Sequence, residues 1–404
     1  MRVLIFESES EGHRMQYVRS ILDALSSLPV STVFVCGRGV RQADEFATHL
    51  APIAGSFQLD DGATRTRGMP PYASGLRRFV DFREALARHR PDHAYVPYAD
   101  GLMQVAGLAR QLGWRLSRPG MEIEGLMMRG RFAYDSGPLA IRDRATIKTL
   151  HWSPFDIVHH LDPIAYDFLV AHSPRLTGRL RLLPEAVERV EVVDRVFARV
   201  RLNIPAVGRY VGCLGALSAA KGVGLLLRVF LHSPPAPDVR LLLIGKADPQ
   251  LRDLLNGECA GLRESGRIIH IDRYVSQEEL HLGLNALDVI CVPYLRQIGS
   301  SGILVRAAAA GRPVLGTEFG WIGRVIRDFE LGETCDIETI PAFAAALERA
   351  LGGARTYRAG SKAQNFKAFH SIENFEAHWT RRLRQRLRLR DSRELLQWKW
   401  PNAH

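Results

Sequence analysis

Short apolar runs alternate with amphipathic segments along almost the whole chain. Apolar runs of a few residues predict strands buried on both faces, and apolar positions spaced three to four apart predict the helices that cover them. In the first half, the predicted strands are residues 3–6, 32–36, 94–97, 124–127, 157–161 and 180–183, and the predicted helices are 15–25, 76–87, 103–112 and 165–171. This alternation indicates a parallel sheet with right-handed crossovers.

The same pattern starts again after residues 184–208, a stretch of mixed charge with two prolines. Here the predicted strands are 210–214, 241–244, 268–271, 289–292 and 314–315, and the predicted helices are 223–230, 250–255, 278–286, 302–310 and 322–328. We therefore predict an α/β protein with two Rossmann-like, doubly wound parallel-sheet domains, an N-terminal one over 1–190 and a C-terminal one over 200–372. Ligands of such sheets bind at the carboxyl ends of the strands, so a cleft between the two domains is predicted.

The remaining segment, 373–404, opens with a helical pattern. Phe375, Trp379, Leu383 and Leu387 recur every four residues and form one apolar stripe. The stripe predicts a basic C-terminal helix that packs back on the N-terminal domain. Six arginines lie in residues 381–390 and are expected to face solvent. They form either a contact for an anionic membrane or a merely solvated face, and the sequence leaves both open.

Composition narrows the functional classes. The chain has 404 residues, 46% of them apolar and 24% charged, and no segment resembles the ~20 apolar residues of a membrane span. Five cysteines form no C-x-x-C pair, so we expect reduced packing thiols in a cytoplasmic protein, without a metal or a bound cofactor. The net charge of +11 favours a polyanionic small ligand or an anionic membrane at its inner face. Nucleic acid is not expected, because no motif for it appears.

Residues 215–222, GALSAAKG, carry the first candidate anion site. Gly215 ends a strand, and Lys221 precedes Gly222 at the start of a helix. A lysine at a helix start opposes the helix dipole unless an anion lies beside it. The residue is therefore either an anion ligand or a solvated surface lysine.

Residues 299–302, GSSG, form a second candidate anion site in front of a helix of small residues that Gly311 ends. Ser300, Ser301 and Gly302 at a helix start are typical of an anion-binding turn. Arg306 is a single charge inside this apolar helix. Residues 273–275 follow another strand and are either a base-binding turn or a plain loop.

In this order, the motifs resemble the nucleotide-sugar half of the GT-B glycosyltransferases, most closely glycosyltransferase family 4 (group 1). The resemblance runs from about residue 210 to 332 and includes the glycine turn, the Lys-Gly helix start, a strand that ends at Gly245, the strand in LDVICVPY, the GSSG turn and a final G-x-P-V. It implies a GT-B fold with the domains facing across a cleft, and a retaining, metal-free transfer from a nucleotide diphosphate sugar.

Site residues follow from the same resemblance. It implies that Lys221 binds phosphate beside the glycine turn at Gly215, and that the turn of Ser300, Ser301 and Gly302 faces phosphate. Arg273 and Val275 match the turn that faces the base.

The chain departs from the family at three positions. Family members place arginine where this chain has Ala216, and two glutamates separated by seven residues where it has Ile298 and Arg306. The second glutamate normally accepts hydrogen bonds from the ribose, and arginine has no acceptor. Arg306 should reach back toward the GSSG turn because helical side chains lean toward the N-terminus. It either binds phosphate or pairs with a carboxylate such as Glu318.

The N-terminal domain offers fewer signals. Gly12 and His13 follow the first strand and form either an acceptor-side loop or an acidic turn with a helix-capping Ser or Gly. Tyr98 is expected on the acceptor side, and Asp100 and Arg129 are candidate catalytic residues with His13, although Asp100 is also a candidate helix cap. His159 and His160 alternate faces on a strand, and Asp162 before Pro163 is favoured as an N-cap.

We therefore predict a glycosyltransferase that binds a nucleotide sugar in its C-terminal domain and an unidentified glycan, lipid-linked or small-molecule acceptor in its N-terminal domain. The alternative is a catalytically silent GT-B protein that binds a nucleotide sugar or glycan, or acts as a partner subunit. The replaced glutamates are what keeps this alternative open.

Overall fold

A computed structural model describes residues 1–116, 118–134, 137, 139–390 and 395–401. The chain divides into two compact units, each formed by two pieces of sequence. Unit 1 comprises Met1–Ala186 and Ile372–Leu396, and unit 2 comprises Val187–Ser371 and Gln397–His404. Each unit is built on one parallel sheet, so the predicted pair of doubly wound α/β domains is confirmed.

Unit 1 contains a seven-stranded sheet in the order β3-β2-β1-β4-β5-β6-β7. Its strands are β1 Arg2–Glu7, β2 Ser31–Gly37, β3 Gln58–Ala63, β4 His93–Val96, β5 Glu122–Met127, β6 Ile157–His160 and β7 Leu180–Leu182. Its helices up to residue 186 are α1 Arg14–Ser26, α2 Asp44–His49, α3 Pro71–His89, α4 Leu102–Gln111, α5 Ile141–Trp152, α6 Pro163–His172 and α7 Pro174–Thr177. The apolar runs predicted six of these strands and missed β3, whose sequence QLDDGA is polar because it forms the edge.

Unit 2 contains a six-stranded sheet in the order β10-β9-β8-β11-β12-β13. Its strands are β8 Arg209–Leu214, β9 Val239–Ile244, β10 Ile268–Ile271, β11 Val289–Val292, β12 Val314–Thr317 and β13 Gly332–Cys335. Its helices are α8 Arg195–Arg201, α9 Val223–His232, α10 Pro249–Asn256, α11 Ala260–Glu264, α12 Gln277–Ala286, α13 Gly302–Ala309, α14 Gly320–Asp328, α15 Ile340–Gly353 and α16 Ser361–Phe369. All five cysteines are buried and unpaired, as expected.

The last helix, α17 Ile372–Arg386, packs on unit 1. Phe375, Trp379 and Leu383 are fully buried in the apolar cluster that also contains Tyr95, whose hydroxyl donates to the carbonyl of Trp379 at 3.2 Å. The apolar stripe therefore gives the helix its place in the core.

Two arginines of α17 do not simply face solvent, which corrects the expectation for this helix. Arg382 makes a bidentate ion pair with Glu122, at 2.9 and 3.1 Å, and Arg386 donates to the carbonyls of Asp92 and Gly120. They contribute to the attachment of the helix because guanidinium donors are matched to acceptors on the sheet. Within the described ranges, no helix is long and apolar enough to cross a membrane.

Candidate functional site

Glycines bring three loops of unit 2 together at the carboxyl end of its sheet. At Gly245, a Cβ atom would lie 1.9 Å from the carbonyl oxygen of Gly215, and at Gly222 it would lie 1.8 Å from the carbonyl oxygen of Pro293. Gly215 and Gly222 also have positive φ angles of 88° and 67°. Only glycine permits both the close backbone approach and the left-handed conformation. The loops after β8, β9 and β11 therefore form one packed edge.

Lys221 lies at this edge, at the end of a 3-10 turn that leads into α9. Its Nζ is 5.2 Å from the centre of the Tyr294 ring and 3.9 Å from the point where a Cβ of Gly215 would be. The side chain of Ile303, in the first turn of α13, lies 3.7 Å from that same point. Among the residues that the structure describes, Lys221 has no carboxylate partner, and so the edge carries an uncompensated ammonium group.

The GSSG turn adopts the geometry expected of a helix start. Ser301 is the N-cap of α13, and its hydroxyl accepts a hydrogen bond from the N–H of Leu304 at 3.3 Å. Gly299 has a φ of 93°, and the side-chain amide of Gln297 donates to the carbonyl of Ser300 at 2.8 Å. The Ser301 hydroxyl oxygen thus accepts from its own helix, and the N–H groups of the first turn that have no partner within the helix are candidate donors to a ligand.

Arg306 pairs with Glu188. The guanidinium donates through Nε and Nη2 to the two carboxylate oxygens, at 2.8 and 2.6 Å, and the Arg306 side chain is 6% exposed. His281 of α12 lies 3.1 Å from the same carboxylate. Of the two alternatives, pairing is the one observed, but the predicted partner Glu318 was wrong. A buried arginine requires acceptors for its donors, and sequence alone did not show that the carboxylate of residue 188 would supply them here.

Burial opposes ionisation of Glu188, but its hydrogen bond with His281 and the charge of Arg306 outweigh that cost. They hold the pKa of the carboxyl group well below its usual range. The pair is therefore charged at neutral pH and fixes the start of unit 2 to α12 and α13.

The turn at residues 273–275 faces its own helix. Arg273 forms a bidentate ion pair with Glu279, which also completes a capping box with Ser276 at the start of α12. Tyr274 is exposed and Val275 is half-buried. The turn lies beyond β10 at the sheet edge, two strands from β8. A role in base binding remains a prediction, and the contacts seen here are those of a strand-to-helix loop.

In unit 1, Tyr98, Asp100 and Arg129 lie together at the carboxyl ends of β4 and β5. The Asp100 carboxylate accepts the backbone N–H groups of Met128 at 2.9 Å and Arg129 at 3.1 Å. It does not cap α4, whose N-cap is Gly101, so the capping alternative is wrong. Burial raises the pKa of Asp100, although these hydrogen bonds oppose the shift. The Arg14 guanidinium covers the Tyr98 ring at 4.1 Å.

Gly12 and His13 are exposed in the loop after β1. Gly12 has a φ of 72°, and no atom lies within 4 Å of its would-be Cβ. His13 is the N-cap residue of α1, but its side chain makes no capping hydrogen bond. The alternative of an acidic turn capped by Ser or Gly is therefore wrong in its cap, because the N-cap position is held by His13.

The glutamates of this loop are compensated by arginines that sequence reasoning did not single out. Glu11 pairs with Arg65 and Arg67, and Arg14 pairs with the buried Glu7 at 2.6 Å. Arg65 and Arg67 come from the segment after β3, the strand that the apolar pattern did not reveal.

The two histidines of β6 point to opposite faces, as predicted. His159 bonds to the buried Glu124 at 2.7 Å on the side of Trp379, and His160 accepts the N–H of Asp162 at 3.0 Å. Asp162 caps α6 through the N–H of Ile164, which confirms the N-cap prediction. Burial raises its pKa to about 6. Glu124, although buried, has its pKa lowered to about 2 by hydrogen bonds with His159 and His93.

Two parallel-sheet α/β units, with a glycine-shaped edge in the second, define the GT-B fold class. Residues 208–352 match the family model described as Glycosyl transferases group 1. The predicted resemblance and fold class are thus confirmed. The replacement of the two family glutamates remains an interpretation.

Individual relatives agree with this class. A sucrose-phosphate synthase from Thermosynechococcus elongatus has a similar structure, with a TM-score of 0.73 and 17% identity over 96% of this chain and 99% of that one. HepE from Anabaena, in complex with UDP, gives a TM-score of 0.69 and 12% identity over 95% of this chain and 100% of that one. At such identities, the likeness shows the fold.

In sequence, the chain is similar to a phosphatidyl-myo-inositol mannosyltransferase of Mycolicibacterium smegmatis. The identity is 28% over 161 residues, which are 39% of this chain and 40% of the relative. The match therefore spans about two-fifths of the length of that curated relative.

Proposed function

We propose that the chain transfers a sugar from a nucleotide diphosphate sugar to an acceptor, and that unit 2 binds the nucleotide. The observation that carries the proposal is Lys221. Its ammonium group lies beside Gly215 and the first turn of α13, and no carboxylate of the described residues compensates it. A cation at a helix start is unfavourable unless an anion is bound there, and a diphosphate supplies that anion.

Sugar transfer requires groups that stabilise the leaving diphosphate, and we assign this role to residues at the carboxyl edge of the unit 2 sheet. The bond between the sugar C1 and the diphosphate oxygen breaks, the acceptor oxygen forms a new bond to C1, and the acceptor hydroxyl loses its proton. The leaving diphosphate gains negative charge, which Lys221 and the N–H groups at the turn of Ser300, Ser301 and Gly302 stabilise. Retention at C1 and independence from metal belong to the proposal through the family resemblance.

On the acceptor side, we assign Asp100, Arg129 and Tyr98 together with the loop of Gly12 and His13. The support is their common location at the carboxyl edge of unit 1, where ligands of open sheets bind. Asp100 is the best supported of them as a proton acceptor, because burial raises its pKa and so makes the carboxylate more basic.

The test uses the purified full-length chain with UDP-, GDP- and ADP-sugars. We expect one nucleoside diphosphate to raise the melting temperature and to bind the Lys221→Met variant about 10- to 100-fold more weakly, as for a lost charged hydrogen bond. Lys367→Met, at an exposed lysine of α16, is the matched control and should bind like the wild type. If no nucleotide binds the wild type, the proposal is wrong.

A catalytically silent nucleotide-sugar-binding protein is the second candidate function. The observation that favours it is the ion pair of Arg306 with Glu188, because position 306 presents a neutralised cation where the family resemblance implies a carboxylate. Binding without nucleotide release in any mixture of glycan, lipid-linked and small-molecule acceptors would support this candidate over the enzyme.

A further inference from the structure

The Glu188 carboxylate joins two helices that leave the carboxyl end of the unit 2 sheet. Arg306 of α13 holds it from one side and His281 of α12 from the other. The Arg306 side chain is 6% exposed and that of Glu188 is 21% exposed. The carboxylate is therefore held in place by its partners, but it is still accessible from solvent.

This carboxylate lies close to the proposed diphosphate position. Arg306 follows Ile303 by three residues, so both side chains share one face of α13. Ile303 is the residue that approaches the Gly215 position next to Lys221 Nζ. Since helical side chains lean toward the N-terminus, the guanidinium brings Glu188 beside the first turn of α13.

The second contact of the Glu188 carboxylate, with His281, connects it to the helix next to the proposed base position. His281 lies in α12, the helix that begins directly after the turn at residues 273–275. In a nucleotide, the ribose is covalently placed between the base and the diphosphate. Glu188 likewise connects the helix that follows the base turn with the helix that follows the phosphate turn.

We infer that Glu188 binds the ribose hydroxyls of the donor nucleotide, and that Arg306 and His281 position its carboxylate for this purpose. Ionised carboxylates accept hydrogen bonds and are the usual partners of a ribose diol in nucleotide-binding sheets. Arg306 is then not a phosphate ligand but a positioning residue. This inference rests on the proposed function, since it requires a nucleotide in unit 2.

The experiment compares binding of the preferred nucleoside diphosphate with that of its 2′,3′-dideoxy counterpart. We expect the wild type to favour the ribonucleotide by about tenfold or more, as for hydrogen bonds to a charged acceptor. In Glu188→Gln the preference should fall severalfold. In the double variant Glu188→Leu with Arg306→Met, which leaves no unpaired buried charge, it should fall to about one.

The ratio of the two affinities, for the ribonucleotide and for the dideoxynucleotide, separates ribose binding from a purely structural role of Glu188. Loss of a structural role would weaken the binding of both nucleotides equally. Glu278→Gln is the matched control. Glu278 is an exposed carboxylate on α12, the helix that contains His281, and it pairs with Arg201. It should keep the wild-type ratio. Equal binding of ribo- and dideoxynucleotide by the wild type, or an unchanged ratio in both Glu188 variants, overturns the inference and leaves the proposed function standing. Absence of all nucleotide binding instead overturns the proposed function.

Discussion

At the carboxyl edge of the unit 1 sheet, the last residue of β1 and the loop after it carry three glutamates, and arginines of the same unit approach each of them. Arg14 pairs with Glu7, and Arg65 contacts Glu9 and Glu11. At the corresponding edge of unit 2, the loops consist mainly of glycine and small residues, and Lys221 has no such partner among the described residues. The three glutamates of the first edge are compensated within unit 1, whereas Lys221 at the second edge has no carboxylate partner among the described residues.

The difference teaches where to look for a ligand in a chain with many charges. A net charge of +11 does not locate a site, because arginines such as Arg382 and Arg386 are matched to acceptors. Two groups of unit 2 are more informative than the net charge. Lys221 has no carboxylate partner among the described residues, and Arg306, buried within the apolar helix α13, forms an ion pair with Glu188.

The largest expected effect comes from breaking that buried pair. Arg306→Met leaves Glu188 without its guanidinium, and we expect a loss of about 3–5 kcal/mol in the free energy of unfolding. Denaturant unfolding measures it. The double variant with Glu188→Leu should recover most of the loss, because it removes the unpaired charge as well. Arg201→Met, at an exposed pair with Glu278, should cost no more than about 1 kcal/mol.

An intermediate effect is expected from the close backbone approach at Gly222, which Gly12 in the loop after β1 of unit 1 does not have. Gly222→Ala places a Cβ 1.8 Å from the Pro293 carbonyl oxygen at a positive φ, which we expect to cost about 1–3 kcal/mol and to weaken nucleotide binding. Gly224→Ala is the control, because nothing lies within 4 Å of its Cβ position in α9. Gly12→Ala in unit 1 should lower the free energy of unfolding only through the backbone strain of a positive φ, because it introduces no steric clash. Equal losses at positions 12 and 222 would contradict the comparison.

The smallest effects, on the order of 1 kcal/mol, concern pH and have opposite signs at Asp162 of unit 1 and Glu188 of unit 2. The pKa of Asp162 in unit 1 is raised to about 6, so protonation of the folded state adds stability as the pH falls from about 6 toward the unfolded value near 4. The pKa of Glu188 in unit 2 is lowered, so its contribution is complete above its unfolded value and is lost as the pH falls toward its folded value. Unfolding curves from pH 3 to 8 measure both.

Asp162→Asn should remove the increase in stability that the wild type shows as the pH falls from 6 to 4. Glu188→Gln should remove the decrease in stability that the wild type shows in acid. If both substitutions change the pH dependence in the same direction, the two assignments of pKa are wrong.

Sequence reasoning predicted the fold well because buried parallel strands are continuous apolar runs. It missed β3 and β13, which lie at the outer ends of their sheets and have polar sequences, QLDDGA and GETC. It also missed α5, whose apolar residues are not confined to one face. These elements owe their structure to pairing and packing with the rest of the unit, which local periodicity does not record.

The site was predictable where backbone geometry depends on residue type and not where side chains choose partners. Gly215, Lys221 and the GSSG turn were identified because glycine and helix-start chemistry are visible in sequence. Glu188 was missed because it lies in a mixed-charge stretch, 118 residues from Arg306. A lone arginine in an apolar helix shows that a carboxylate is needed, but only the fold shows which one is near.

Unit 1 is formed by two separate pieces of sequence, and this has a consequence for the expression of fragments of the protein. A polypeptide that stops at Ala186 would lack α17, and Tyr95 and Leu126 would lose the apolar neighbours Phe375, Trp379 and Leu383 that share their cluster. Joining residues 372–396 to such a fragment, or supplying them as a separate peptide, should restore its folding. The apolar core of unit 1 is therefore complete only when residues 372–386 have been synthesised as well.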